Sequence, residues 1–182
     1  MKQIERDILE RIESLHPRVG EDWDGGPCTV EAIRYTEKYL GRSLDVHHKF
    51  MLEHRGGNFY FELGPVDVAG VDQDVRVFFG PGKEGESWSI VSEWQGYGDQ
   101  FPKTWYPFAM DSRGHFYCLT DDGAVHYVEL EEEERATPPE TAGYRVAESF
   151  ADFVMSLHLP DWARDYFEQQ KNGEGGNHGE QD

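Results

Sequence analysis

At Gly56-Gly57 the pattern of the chain changes, and that change constrains the fold more than any other feature. Upstream, apolar residues recur at helical spacing. Downstream, short aromatic and β-branched runs are separated by turn residues. Ile4, Ile8, Ile12 and Leu15 mark one face of an amphipathic helix that His16-Pro17 must end, because the residue before a proline is pushed out of the helical region. "EDWDGGP", 21–27, reads as a loop. Thr29 is placed to cap a second helix with Val30, Ile33 and Leu40 on its buried side and Gly41 at its end. Asp45 can cap a third, "VHHKFMLEH", with Phe50, Met51 and His54 on overlapping turns. The two glycines then stop that helix before "NFYFEL". A phosphate loop needs the reverse order, strand then glycines then helix, so that amides point at the anion. Here the glycines punctuate.

The second half reads as strands with one helix inside and one at the end. "VRVFFG", 75–80, predicts a single strand, and "SWSIVSEWQGYG", 87–98, a short helix with Trp88, Val91 and Trp94 at three-residue steps. "TWYPFAMD", 104–111, is extended, and Pro107 predicts an edge or a bulge. "GHFYCLTDDGAVHYVEL", 114–130, has the form of a hairpin turning at Asp122-Gly123, a favoured type I′ pair. "EEEERATPPETAG", 131–143, reads as a loop. "VAESFADFVMSLHL", 146–159, predicts a last amphipathic helix, with Val146, Phe150, Phe153, Val154 and Leu157 on one side, which "DWARDYFEQQ" extends or follows. The fold class is α+β, with helices packed on an antiparallel β-sheet. One domain is expected over 1–168, followed by a disordered polar tail over 169–182.

Charge restricts the partners. Thirty-six acids against 17 bases give a formal −19, and residues 58–134 alone carry 16 acids and 4 bases, a net −12. A nucleic-acid binder needs a basic footprint, so nucleic acid is not an expected partner. An acidic surface suits solubility or a basic partner. No apolar run approaches the roughly 20 residues that cross a bilayer, and the charged N-terminus has no signal-peptide core, so no membrane partner is expected. Cys28 and Cys118 have no CxxC spacing and read as thiols of a reducing, cytoplasmic compartment.

Catalytic and metal motifs are missing. His47 and His48 are adjacent on a helix and point about 100° apart. His47 and His54 lie roughly 10 Å apart along it. His115 and His126 lack a third ligand. No GxSxG, GxxxxGK[ST], HExxH or EF-hand spacing occurs. No metal, cofactor or small-molecule substrate is expected, and no catalytic residue is nominated. Trp88, Trp94 and Trp105, with Tyr97, Phe101 and Tyr106, fall in the most acidic third. Core packing explains such a cluster. So does a binding face in which aromatics anchor and charge steers. On the second reading the contacts are Glu84, Glu86, Trp88, Glu93, Trp94, Asp99, Asp121 and Asp122.

Three blocks then line up with a family. "IRYTEKYLGRSL" at 33–44 and "HHKFMLEHRGG" at 47–57 resemble the helix, turn and glycine stop of the SUKH superfamily. "FPKTWYPFAMDSRGHFYCLTDDGAVHYV" at 101–128 is similar to its W-x-P-F/I-A-x-D-x-x-G-x-x-x-C-L-D segment, and "VAESFADFVMSL" at 146–157 to its closing helix. The subgroup resembled is Smi/Knr, over roughly residues 4–158. Asp45 and Arg55 depart from the pattern, standing where the family has Pro and Asn. The resemblance implies an α+β domain without catalytic residues. Glu37, Gly41, Gly56, Gly57, Asp111, Gly114, Phe150 and Phe153 match family positions that are mainly structural. It also implies a protein partner: for bacterial members, a polymorphic toxin, often a nuclease, neutralised by direct binding. The alternative it implies is an intracellular scaffold of the cell-wall-regulator type with several partners. A small enzyme using a carboxylate pair is a third class.

Overall fold

The computed structural model describes residues 1–19, 26–82, 85–131 and 138–174, without the side chains of 171–174. The first half is helical, as its periodicity requires. Helix α1 (Gln3–Ser14) buries Ile8 and Ile12, and Leu15 is buried just after its end. A short strand β1 (Pro17–Val19) follows. Helix α2 (Val30–Leu40) starts where the Thr29 hydroxyl accepts the Ala32 N–H and ends at Gly41. Its buried stripe is Ile33, Thr36 and Leu40. Val30, expected inside, is 46% exposed, because it sits a turn ahead of that stripe. Helix α3 (Val46–His54) is capped by the Asp45 carboxylate, which accepts the N–H groups of His47 and His48. Aspartate thus serves this helix start. His48, Met51 and Leu52 are its buried residues, while Phe50 and His54 stack on its outer side with ring centroids 4.0 Å apart.

Gly56-Gly57 stops α3 and does more. Gly56 has φ +97, and its N–H donates to the Met51 and Leu52 carbonyls. A Cβ on Gly56 would lie 2.1 Å from the Gly26 carbonyl oxygen, and one on Gly57 would lie 2.3 Å from the Gly80 Cα. Three backbone segments therefore converge where no side chain fits. The Arg55 beside them forms an ion pair with Glu13 and sits over the Phe59 ring, joining the stop to α1 and the sheet.

The strands are β2 (Phe59–Phe61), β3 (Val66–Val68), β4 (Asp74–Val75), β5 (Val77–Phe78), β6 (Tyr106–Met110), β7 (Phe116–Leu119), β8 (Val125–Val128), β9 (Tyr144–Ala147) and β10 (Leu157–His158). Among them run α4 (Ile90–Tyr97), α5 (Phe150–Ser156) and, after β10, α6 (Asp161–Glu174). A seven-stranded antiparallel sheet has the order β1-β2-β5-β6-β7-β8-β9, and a three-stranded one β10-β3-β4. The class is α+β, as read from the sequence.

Three local expectations change, and at Pro107 one of the two expected alternatives is found. The 75–80 run is two strands in different sheets, since Val75 pairs with Val66 and Val77 with Met110. At Pro107 the bulge, not the edge, is found: β6 is a central strand, and its register shifts between Pro107 and Ala109. The hairpin turn is not type I′. That turn needs positive φ at both central residues, and only Gly123 has it, with its N–H donating to the Thr120 carbonyl, as in a three-residue loop. The 146–159 run is strand, helix and strand, because Ser149 caps α5 through the Asp152 N–H and Val146 is already held in β9. Helix α6 continues past Lys171 to Glu174; 175–182, like most of the 21–27 loop and 132–137, lie outside the described residues.

Phe150 and Phe153 of α5 pack on Phe78, Phe108 and Tyr117, and His48 of α3 packs on Tyr106 and Phe108. With α1 against α3 and α5, this closes one sheet face. Phe116 points the opposite way from Tyr117 and meets Tyr97 of α4, so α4 lies on the other face. Helix α2 packs against both α3 and α4.

Candidate partner-binding surface

The eight sequence-nominated residues divide into three places, with Glu84 outside the described residues. The first is the start of α4. Its cap is Ser89, whose hydroxyl accepts the Ser92 N–H. Just ahead, Trp88 stands at φ +58, a left-handed conformation that a bulky side chain rarely adopts. Three bonds impose it. The Gly80 N–H donates to the Trp88 carbonyl, the Ile90 N–H donates to the Gly80 carbonyl, and the Trp88 N–H donates to the Glu93 carboxylate. Glu93 is half-buried there, and desolvation raises its pKa despite that hydrogen bond. Its role is to hold Trp88. Glu86 is exposed two residues earlier.

The second place is a run of rings across α2 and α4. Trp94 meets Tyr39 edge-on at 6.0 Å, and Tyr39 stacks on Tyr35 at 6.3 Å. The Trp94 indole N–H donates to the Trp105 carbonyl at 3.2 Å. Trp105 itself is core, 7% exposed and edge-on to His126. Beyond it the Thr104 hydroxyl donates to Asp121 at 2.6 Å, and the Arg42 guanidinium reaches the Thr104 carbonyl, Asp121 and the Tyr106 ring. Trp94 and Asp121 thus belong to one surface. Asp99 follows α4, half-buried, accepting the Gln100 side-chain amide.

The third place is the far side of the β7–β8 turn. Asp122 accepts from the Thr120 hydroxyl and Ala124 N–H, and its second oxygen pairs with Arg145 at 2.7 Å. Those hydrogen bonds, ahead of Arg145, lower its pKa. Both turn aspartates are therefore locally compensated by arginines.

Sequence reasoning missed Tyr35, Tyr39, Arg42 and Arg145. The i, i+4 spacing of the tyrosines on the face away from Ile33 was a readable signal. The arginines, 79 and 23 residues from their partners, left none.

Chemistry elsewhere is occupied with structure. Asp111 is 1% exposed and accepts the N–H groups of Arg113 and His115, the Arg113 Nε–H and the Tyr127 hydroxyl. Both its oxygens are engaged, so it holds the β6–β7 turn. Glu37 accepts the Leu44 N–H and the Lys49 ammonium, joining α2 to α3. Burial pushes both the Cys28 and Cys118 thiols up, Cys118 strongly. Among the described residues, no three His, Cys, Asp or Glu side chains converge as a metal site. Nor does any described helix have the length and apolarity to cross a membrane.

Comparison with curated proteins yields no significant match. The SMI1 / KNR4 family (SUKH-1) matches residues 27–156, the stretch from the loop before α2 to the end of α5. That family is generally non-catalytic and suggests protein–protein interaction. The match covers well over half the chain, which therefore belongs to the SMI1 / KNR4 family (SUKH-1).

Proposed function

We propose that the chain is a non-catalytic immunity protein that neutralises a bacterial polymorphic toxin by binding it directly. The observation that carries this reading is the half-exposed ring series Tyr35–Tyr39–Trp94, set beside the stretch that carries a net −12. Large aromatic side chains supply most of the energy in a protein interface, and charge governs encounter and orientation. A basic toxin domain is the complementary partner, and a nuclease, cationic where it meets its substrate, has that character. Binding is stoichiometric. Glu86, Trp88, Trp94, Asp99 and Asp121 surround the contact, while Glu93 and Asp122 act from behind it. The unit is the domain 1–168, working in the cytoplasm, where the two unpaired cysteines stay reduced.

A regulator of the Smi/Knr type is the second reading, favoured by the division of the nominated residues into separate places, as several partners would require. Capture with the tagged chain from its source cells separates the two. Immunity predicts one basic partner, near one to one, whose toxicity this chain relieves. Several housekeeping partners contradict immunity and favour the regulator. The association rate with a toxin should fall steeply as salt rises past physiological strength; a flat dependence removes charge steering.

A further inference from the structure

A groove of about 340 Å³ opens where the end of α1, β10 and the start of α6 come together, lined by Arg11, Ser14, Leu15, His158, Leu159 and Arg164. It lies on the α1 side of the sheet, away from α4. The chain has 36 acids and 17 bases, yet among the described residues no carboxylate lines this groove. Its charged lining is two arginines and a histidine, drawn from both ends of the chain. The Arg11 guanidinium forms no ion pair or hydrogen bond among the described residues. Asp7, one helical turn before it, instead accepts the side-chain amide of Gln3 at 2.6 Å. Arg164 donates from Nη2 to Asp161 at 2.6 Å, but that carboxylate is 92% exposed, and an ion pair so open to water contributes little. The other N–H groups of Arg164 have no partner among the described residues. His158 is turned the other way, with Nε2 3.9 Å from Asp67, so the charge of the groove rests on the arginines. Beside them Leu159 is only partly buried, while Leu15 is closed off behind.

A guanidinium stays charged at any pH a cell meets, and its planar fork matches oxyanions two oxygens at a time. One fork satisfies a carboxylate. Two forks from different helices suit a tetrahedral dianion, which offers oxygens on more than one side. We propose that this groove binds a small phosphomonoester, with its phosphate between Arg11 and Arg164 and its organic part on Leu159. The volume is that of a small-ligand pocket. The site lies apart from the partner surface, and neither immunity nor regulation depends on it.

The probes are phenyl phosphate, inorganic phosphate and benzoate, titrated into the full chain. The readouts are the Arg11 and Arg164 Nε–H and the Leu159 amide resonances. Phenyl phosphate should bind saturably with a Kd of about 1 mM or tighter. It should bind at least ~5-fold more tightly than inorganic phosphate, which lacks the organic part, or benzoate, which one fork satisfies. Arg11→Gln should weaken binding at least ~10-fold and leave denaturant melts unchanged, since that guanidinium holds nothing within the chain. Asp161→Asn releases Arg164 and should tighten binding at least ~2-fold, whereas Asp165→Asn, an equal change of charge on the same helix, should do less. Inorganic phosphate or benzoate binding as tightly as phenyl phosphate would overturn the ester assignment. Full-strength binding by Arg11→Gln, or no saturable shift at either arginine, would overturn the site.

Discussion

On the sheet face covered by α1, α3 and α5, the rings of Phe78, Phe108, Tyr117, Phe150 and Phe153 are fully buried and contact one another. On the α4 face, Trp88 and Trp94 are only half-covered, Tyr97 is 42% exposed, and one tryptophan is held in a strained backbone. Aromatic content is high on both. Its use differs. The closed face spends rings on cohesion, where edge and tilted contacts add to area burial. The α4 face keeps aromatic area in reach of solvent, as a partner surface requires.

If this contrast is right, truncations should separate by face. Phe153→Ala should cost about 3–5 kcal/mol by removing a fully buried ring, and Gly57→Ala a comparable amount through its clash with Gly80. Denaturant melts would read both, and a loss below 1 kcal/mol would contradict the packing described.

The closed face should also carry an acid liability. His48 is completely buried, and desolvation lowers its pKa from 6.5 to about 3. The Tyr106 oxygen accepts the Asp45 N–H and lies 3.2 Å from His48 Nδ1, and Nε2 is buried without a hydrogen-bond partner. Between pH 6.5 and 3 the unfolded chain binds a proton that the folded chain refuses. Stability at this site is therefore full above pH 6.5 and falls with pH by about 1.4 kcal/mol per unit, or about 2 kcal/mol between pH 7 and 5. His48→Gln can donate to or accept from Tyr106 and does not titrate, so it should flatten that part of the profile. An unchanged slope would mean that other groups govern it.

Opposite behaviour is expected across the sheet. Trp94→Ala and Tyr39→Ala should cost only about 1 kcal/mol in melts, because both rings are partly exposed, yet at least about 2 kcal/mol in partner binding. A larger loss in melts than in binding would place them with the core. Asp122→Asn should be the smallest effect, within about 0.5 kcal/mol in stability, since an exposed ion pair contributes little. Its effect on association should also be small, because Arg145 already offsets that charge.

What could be read from the sequence was what the chain decides locally. Thr29, Asp45 and Gly41 state helix ends through their own chemistry, and the antiparallel succession follows from short runs between turn residues. Where the reading erred, distant partners decided. Val146 has the spacing of a helix but is drawn into β9 by β8, and the 75–80 run changes sheets because its two halves have different neighbours. The same holds at the candidate surface. Trp88 and Trp94 stood out by type and spacing. The left-handed turn of Trp88 depends on Gly80, and the contact from Trp94 to Tyr39 crosses two helices. No local pattern announces either.

The central claim is that the α4 side, rather than the closed face, meets the partner. Hydrogen exchange of the chain with and without its captured partner tests it most directly. Protection confined to α2, α4 and residues 80–90, with α1 and α6 unchanged, is the predicted footprint. Protection centred on α1 and α6, with α4 exchanging as in the free chain, would contradict it.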